Sequence, residues 1–319
     1  MLRFIIRRLL SYLGMLYVAT SVAYLLASVS LDPRSNYMQM RPQPPESSVD
    51  KSLSFANIND KVGLLERYWT WLQNVVLHWN WGRSPRGAPV NDELWHRAAV
   101  SFKLVIVATV LAAVIGIGVG VASAIRKYRT FDRVSNAVSV FFLVVPTFVL
   151  ALMVVLVTLW VQGGLNVRPF FVTGLGSGGL LDTIRHLALP TLVLTLVGYV
   201  TYHLTQRTYL LDTINADYVR TARAKGLPKN LAIRRHALRP SAIPTAMTAA
   251  ISLTTTITGA VFVEQIFAIH GAGWYFIDAL NRNDINGVVG VAFLGGVATC
   301  VGLMLADVVV AIIDPRIRI

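Results

Sequence analysis

Residues Asp217 to Pro244 read DYVRTARAKGLPKNLAIRRHALRPSAIP and form a dense basic segment between two apolar runs. Small residues and Gly226 occupy its first half, and two prolines close it. We call this segment the basic island. Because so many charges must lie in water while the flanking runs are apolar enough for hydrocarbon, the chain around the island is expected to cross a membrane.

The composition supports the same class. Hydrophobic residues make up 55% of the 319 residues, charged residues only 14%, and the mean hydropathy is +0.58, which is too apolar for a soluble domain. The net charge of +13 does not indicate a nucleic-acid partner, because the basic residues lie between apolar runs and suit a lipid bilayer and its orientation rules. The single cysteine, Cys300, excludes a disulfide framework and a thiolate metal site.

Six apolar runs predict an all-α polytopic membrane protein with six transmembrane helices. They cover residues 9–31, 100–125, 134–160, 187–204, 242–262 and 288–313. The first run could also be a signal peptide, but it is longer than a signal h-region, which favours a retained helix. Pro146 predicts a kink in the third run, and Pro190 is expected near the start of the fourth.

The basic residues predict the orientation, because short cytoplasmic loops of membrane proteins are enriched in Lys and Arg. The amino terminus, the turn after the second run, the island and the carboxyl end are rich in them, whereas the short loops on the other side contain only Arg168, Arg185 and Arg282. Both termini and the loop 206–239 are therefore expected in the cytoplasm. Residues 32–99 form an extracytoplasmic insert.

Two local patterns predict helix packing. In the insert, Val62 to Leu77 has the period of an amphipathic helix, with an apolar face made of Leu65, Tyr68, Trp69, Leu72 and Val76. It could lie on the membrane surface or cap the bundle. In the second run, Gly116 and Gly120 form a small-xxx-small pair, which favours close contact with a neighbouring helix.

The island itself has the pattern of a helix-turn-helix docking element. Gly226 is free to turn the chain, and Pro228 suits the start of a second helix. Ala222 and Ala224 permit close approach by a partner, and the surrounding charges favour an acidic one. An ordinary basic loop that contacts lipid is the alternative.

Motifs for catalysis are absent from the sequence. It contains no Gly-Lys dipeptide and hence no phosphate-binding Walker A loop, no His-Glu-x-x-His and no Gly-x-Ser-x-Gly. The histidines show no ligand spacing. We therefore expect no catalytic residue, no metal site and no cofactor in this chain, so any ATP must be hydrolysed by another subunit.

Several motifs, spread over nearly the whole chain, resemble those of a known family of membrane proteins. Tyr218 to Gly226, Arg235 to Arg239 and Ile243-Pro244 resemble the coupling loop of permease subunits of ABC importers, in the oligopeptide and dipeptide branch. Three further elements resemble that branch in order: Trp79 to Ser84, Glu264 to Phe267 with Gly271 to Gly273, and Asp307 with Asp314 to Arg318.

The sequence also departs from the family pattern. The glutamate that leads the general importer motif is missing from the island, so its acidic contact cannot be transferred to this chain. Trp79-Asn80 replaces the usual Gly-Asp, and His270 precedes Gly271 where the branch usually has proline.

The resemblance implies a type I importer in the bacterial cytoplasmic membrane. A second permease subunit, one or two ABC ATPase subunits that bind ATP and Mg, and an extracytoplasmic substrate-binding protein are the implied partners. Peptides are the implied cargo, although related systems carry nickel, glutathione, haem or oligosaccharides. The residues implied to couple to the ATPase are Tyr218, Arg220, Thr221, Ala222, Arg223, Ala224, Lys225, Gly226 and Leu227.

A stripe of small, weakly polar residues follows the fifth run with helical spacing. It consists of Thr245, Thr248, Ser252, Thr255 and Gly259. The stripe could line the translocation path or pack against a neighbouring helix, and the spacing alone leaves both open.

Two acidic residues lie close to hydrocarbon, Glu264 beside the fifth run and Asp307 within the sixth. We expect pairing or an approach to water rather than a proton relay, because each is near a helix end. A secondary transporter using Asp307 is nevertheless an alternative, although no internal repeat supports it. A membrane enzyme with a site at the outer loops, and a receptor or scaffold, are further alternatives.

Overall fold

The computed structural model describes residues 2–176 and 178–313, and this part of the chain is almost entirely helical. Its only β-type pairing is an isolated bridge between Arg83 and Pro89. A π-helical turn, Ile233–Ala237, precedes α11. The helices of the described residues are α1 Leu2–Ser30, α2 Ser35–Met38, α3 Glu46–Phe55, α4 Leu64–His78, α5 Val90–Ile125, α6 Thr130–Val144, α7 Thr147–Leu165, α8 Leu180–Ile214, α9 Asp217–Ala224, α10 Lys229–Ala232, α11 Leu238–Ile266, α12 Ala272–Asn281 and α13 Ile285–Ile313.

Five stretches of the described residues are helical, long and apolar enough to cross a membrane. They are Ile6–Met38, Val90–Ile125, Thr147–Leu165, Leu180–Ile214 and Ile285–Val309. α11, which contains the fifth apolar run, has 29 residues, and several of its side chains lie outside the description. The chain is therefore a polytopic helical membrane protein.

The structure corrects two expected helix starts. α5 begins at Val90 rather than at residue 100, and α8 begins at Leu180, so Pro190 lies inside α8 instead of at its start. An internal proline removes one backbone hydrogen bond, but helices packed in a membrane protein tolerate it because neighbouring groups satisfy the freed carbonyl. At Pro146 the third run is broken rather than only bent, since α6 ends at Val144 and α7 begins at Thr147.

α5 and α8 lie in close contact, as the glycine pair predicts. A Cβ on Gly116 would lie 2.6 Å from the carbonyl oxygen of Tyr199, and one on Gly120 would lie 2.8 Å from that of His203. Gly118, on the opposite face of α5, has no neighbouring atom within 4 Å. Gly116 and Gly120 thus permit contact between the two backbones.

The insert packs on the α12 end of the bundle around an aromatic core. Tyr24 of α1 stacks on Trp71 of α4 with ring centroids 4.6 Å apart, and Trp81 lies against Phe293 of α13 at 4.5 Å. Asn286, at the start of α13, donates hydrogen bonds to the carbonyl oxygens of Ala56 and Arg83. We call this end of the bundle the insert end, and the opposite end the island end.

The amphipathic helix of the insert is α4, in which Arg67, Trp71 and Val75 are the buried residues. Of the predicted apolar face, Tyr68 and Leu72 pack against the aromatic core, and Leu65, Trp69 and Val76 are exposed over 59–77% of their surface. One side of α4 therefore caps the bundle through Trp71, which stacks on Tyr24, and the other side is an exposed apolar stripe.

Candidate functional site

The basic island begins with the predicted helix-turn-helix. α9 ends in a tight turn in which the N–H of Leu227 donates to the carbonyl of Ala222 and the N–H of Gly226 donates to that of Arg223. This pair of bonds defines a Schellman motif, which requires a left-handed residue, and Gly226 has φ +95°. Pro228 then caps α10 at its start.

One hydrophobic side chain anchors α9 to the bundle. Val219 is buried in a small core with Leu210 of α8, Ala124 at the end of α5, and Ala232, Ile233 and Ala237 of the island. Ala222 and Leu227 are half-buried. The remaining predicted coupling residues are exposed: Tyr218, Arg220, Thr221, Arg223, Ala224, Lys225 and Gly226. The island therefore presents a basic outer face on a helix that is attached to α5 and α8.

Directly behind the island, an ion pair joins α6 to α8. Arg207 donates two hydrogen bonds to the carboxylate of Asp132, from Nε at 2.6 Å and from Nη2 at 2.9 Å. The Asp132 side chain is only 2% exposed, and it also accepts the backbone N–H of Tyr128 at 2.8 Å. A bidentate, buried pair of this kind fixes the turn between α5 and α6 relative to α8.

A second polar contact set lies one turn further along α8. His203 is fully buried and shares hydrogen bonds with the hydroxyls of Ser139 on α6, at 2.6 Å, and Ser123 on α5, at 3.2 Å. Gln206 donates to Ser241 and accepts from Thr245, both on α11. Together with Asp132–Arg207 these contacts form what we call the α8 network, and they connect α8 to α5, α6 and α11.

The small-residue stripe of α11 mostly faces α8. Thr245 donates to Gln206 at 2.7 Å, and Ser252 shares a hydrogen bond with the Tyr202 hydroxyl. Gly259 lies 3.7 Å, measured from an ideal Cβ, from Leu194 of α8 and Thr147 of α7. Thr248 is half-buried and donates back to the carbonyl of Pro244. The side chain of Thr255 lies outside the described residues. The hydrogen bonds of Thr245 and Ser252 to α8 favour a packing role for these two residues.

Glu264 closes the insert end by binding backbone groups of α12. Its side chain is fully buried, accepts the Ser101 hydroxyl of α5 at 2.5 Å and accepts the N–H of Trp274 at 2.9 Å. A Cβ on Gly271 would approach the Glu264 carboxyl carbon to 2.6 Å, so glycine is needed for this approach. The carboxylate therefore holds the first turn of α12 against α5 and α11.

Asp307 has partners on α1. It accepts the Tyr12 hydroxyl at 2.6 Å and lies 3.4 Å from Nε of Arg8. The expected pairing of Asp307 is thus observed. Residues Asp314 to Arg318 of the carboxyl end lie outside the described part of the chain.

Sequence reasoning missed the α8 network. Part of the signal was present, because His203 is a polar residue in an otherwise apolar run, and such residues in membrane helices usually bond to neighbouring helices. Gln206 lies beyond that run, in the loop predicted to be cytoplasmic. Their partners, Ser123, Ser139 and Ser241, have no distinguishing pattern in the sequence. Asp132 lies between Arg129 and Arg133 of the basic turn, and nothing in the sequence indicates that it pairs with Arg207 on α8. Among the described residues, no three His, Cys, Asp or Glu side chains are placed to hold a metal ion.

Comparison with known proteins supplies the family. Residues 116–319 match the family described as binding-protein-dependent transport system inner membrane component. The full chain is 35% identical, over the full length of both, to the protein named oligopeptide transport system permease protein OppB of Mycobacterium tuberculosis strain H37Rv. It is also similar over full length to the AppB protein of the same description from Bacillus subtilis, at 30%, and to OppB of Salmonella typhimurium, at 29%.

Proposed function

The chain belongs to the family of binding-protein-dependent transport inner-membrane components, and from that premise we propose that it is the membrane-spanning permease subunit of an ATP-driven peptide importer. The observation that carries the proposal is the match to proteins named oligopeptide permeases over their entire length, insert included. The protein is accordingly a multi-pass protein of the bacterial cytoplasmic membrane.

The proposed topology has six spans, with α11 as the fifth in chain order and the α6–α7 pair as the third. The distribution of Lys and Arg supports placing both termini and the basic island in the cytoplasm and the insert end outside. In this arrangement a second permease completes the translocation path, a binding protein delivers cargo to the insert end, and ABC ATPase subunits bind ATP and Mg below the island.

The island is the proposed contact with the ATPase. Its outer face carries the cationic Arg220, Arg223 and Lys225 around the exposed ring of Tyr218, and this combination suits a groove with acidic and apolar walls. Val219 connects the same helix to the ends of α5 and α8, so a displacement of α9 would move both helices. The turn at Gly226 sets the angle between α9 and α10.

The path is proposed to run along α11. Thr245 and Ser252 are engaged with α8, which leaves Thr248 and Thr255 as the stripe members proposed to meet cargo. Peptides are the proposed cargo. The alternative cargoes are tested by measuring peptide uptake in the presence of nickel, glutathione, haem or an oligosaccharide. Only a compound that the importer also carries should reduce peptide uptake.

The decisive experiment is replacement of Gly226 in the complete importer, reconstituted in vesicles. Gly226→Val forces a β-branched residue into φ +95°, which should cost about 1–3 kcal/mol and distort the turn. No atom lies within 4 Å of the added Cβ, so steric overlap is not the cause. We expect peptide uptake to fall while membrane insertion and binding-protein docking persist.

Gly226→Asn is the matched control, because asparagine tolerates the left-handed region. It should retain most uptake. Normal ATP-coupled uptake by the Gly226→Val variant would contradict the coupling role of this turn. Peptide uptake by the wild-type importer that does not depend on ATP would refute the importer function itself.

A further inference from the structure

The basic turn, Arg126 to Arg133, joins α5 to α6 at the island end and carries four exposed cations. These cations are Arg126, Lys127, Arg129 and Arg133. None of them forms an ion pair with an acid of the described residues. The one acid of the turn, Asp132, is buried and bonded to Arg207. The turn therefore presents four positive charges that this chain does not neutralise.

Asp132 holds the turn in one shape. Its carboxylate accepts the backbone N–H of Tyr128 at 2.8 Å and the side-chain amide of Asn136 at 2.8 Å. Tyr128 has φ +63°, a left-handed conformation that persists in tyrosine only where surrounding contacts fix it. The cations thus project from a backbone that is already ordered, so a ligand would bind them at a low cost in ordering entropy.

An apolar surface continues from the turn along the outer side of α6. Val134, Val138 and Phe141 are spaced by four and three residues, so they share one helix face. They are exposed over 41–56% of their surface. The opposite face bonds to α8 through Asp132 and Ser139. α6 therefore has an uncovered apolar face that begins where the cations end.

Two exposed aromatic rings lie among the cations. The Lys127 ammonium is 4.8 Å from the ring centre of Tyr128, and the Arg126 guanidinium is 5.1 Å from that of Phe131. Tyrosine concentrates where hydrocarbon meets the lipid headgroups, and Lys and Arg beside a membrane helix attract anionic lipids. The charge of the turn and its position at the end of an apolar face both indicate contact with headgroups.

Other occupants suit this surface less well. A second permease follows the same charge rule, so its segments at this level are also rich in Lys and Arg and would repel the turn. An ATPase subunit lies in water, so it would meet the cations but leave the apolar face of α6 uncovered. A lipid with an anionic headgroup matches both parts of the surface.

We propose that the basic turn binds the phosphate groups of anionic phospholipids in the leaflet at the island end, with their acyl chains against the outer face of α6. Arg129 and Arg133 are one helical turn apart, so both guanidinium groups can reach one phosphate. Because Asp132 connects the turn to Arg207, the bound lipid would stabilise the junction of α5, α6 and α8. The proposal goes beyond the importer function and does not depend on the cargo or on ATP.

The test is binding of fluorescent phosphatidylglycerol to the complete importer in mild detergent, compared with zwitterionic phosphatidylcholine of the same chains. The wild type should prefer phosphatidylglycerol, and added salt should reduce this preference. The double variant Arg129→Gln with Arg133→Gln removes two cations, each worth about fivefold in affinity at an anionic surface. Its affinity for phosphatidylglycerol should therefore fall about 25-fold, while that for phosphatidylcholine stays unchanged.

The matched control is Lys51→Gln with Arg86→Gln, which removes two exposed cations of the insert. It should keep the wild-type affinity for phosphatidylglycerol. Equal affinities of the two double variants would overturn the proposal. Loss of the ATPase subunits from the Arg129 and Arg133 variant, with lipid binding unchanged, would assign the turn to an ATPase contact instead.

Two measurements on the wild type make the result independent of how well the variants fold. Glycerol 3-phosphate has the phosphate without the acyl chains and should not displace phosphatidylglycerol at equal concentration. Displacement would show a site for soluble phosphate and refute the lipid site. Phosphatidylglycerol with a photoactivatable acyl chain should label peptides of α6, and labelling confined to other helices would also refute it.

Discussion

The two ends of the bundle fix their helices by different means. At the island end, the α8 network joins long helices by side chain to side chain bonds, such as Asp132–Arg207 and His203 with Ser139. At the insert end, Glu264 accepts a backbone N–H of the short helix α12 and a hydroxyl of α5. Side-chain pairs let neighbouring helices move as one body, whereas a carboxylate on backbone groups fixes one helix terminus in place. The first arrangement suits transmission of movement and the second suits a fixed frame.

The largest expected effect is loss of the ion pair at the island end. Asp132→Ala leaves Arg207 partly buried without its partner, and removal of one member of a buried pair costs about 3–5 kcal/mol. The Arg207 side chain is 20% exposed, so we expect the lower end of that range. Thermal unfolding of the purified importer measures it.

Asp212→Asn is the control for this change, since Asp212 is an exposed acid on the same helix. It should leave stability unchanged. If the double variant Asp132→Asn with Arg207→Gln regained stability but not uptake per ATP hydrolysed, the pair would serve transmission as well as folding. Recovery of both would assign it to folding alone.

The next largest loss of stability is expected at the contact between α5 and α8, which joins the two ends of the bundle. Gly116→Ala places a methyl group 2.6 Å from the Tyr199 carbonyl oxygen, so the two backbones must separate, at a cost of about 1–3 kcal/mol. Gly118→Ala, two residues away in open space, should be neutral or slightly stabilising. Equal unfolding temperatures for the two variants would contradict the close contact.

A smaller and more local effect is expected at the insert end. Glu264→Ala leaves the Ser101 hydroxyl and the Trp274 N–H without their acceptor, which should cost about 1–3 kcal/mol. Glu264→Gln keeps an acceptor oxygen and should lose less. Hydrogen exchange should accelerate in the first turn of α12 but not in α9, and faster exchange at both ends would show that the ends are not separate units.

The smallest effect is a pH dependence confined to the insert end. Burial raises the pKa of Asp284 to about 6, although the hydrogen bond from the N–H of Gly287 acts in the opposite direction and lowers this pKa. Because the folded-state pKa lies above the unfolded value, the protonated form favours folding. The contribution is complete below about pH 4 and is lost as pH rises through about 6.

Unfolding of the importer between pH 4 and 7 measures this dependence. Asp284→Asn should remove that part of the slope and still accept the Gly287 N–H through its amide oxygen. An unchanged slope in Asp284→Asn would assign the titration to another group.

Much of this architecture could be predicted from residues near each other in the chain. The helix-turn-helix of the island follows from Gly226 and Pro228, and the α5–α8 contact follows from Gly116 and Gly120, because each depends on backbone rules. The start of α8 and the burial of Trp71 on α4 could not be predicted in this way. Pro190 is tolerated inside α8 because neighbouring helices surround it, and Trp71 of α4 stacks on the ring of Tyr24, which is 47 residues away in the chain.

The sequence by itself determined that this protein crosses a membrane, where its water-exposed basic island lies and which transporter family it resembles. Those properties depend on hydropathy, charge and local turn chemistry, which are written along the chain. Only the tertiary structure decided that Arg207 meets Asp132, that His203 bridges α5 and α6, and that Trp71 stacks on Tyr24. Such pairings depend on which side chains distant segments bring within hydrogen-bond reach, and that distance is a property of the packed helices.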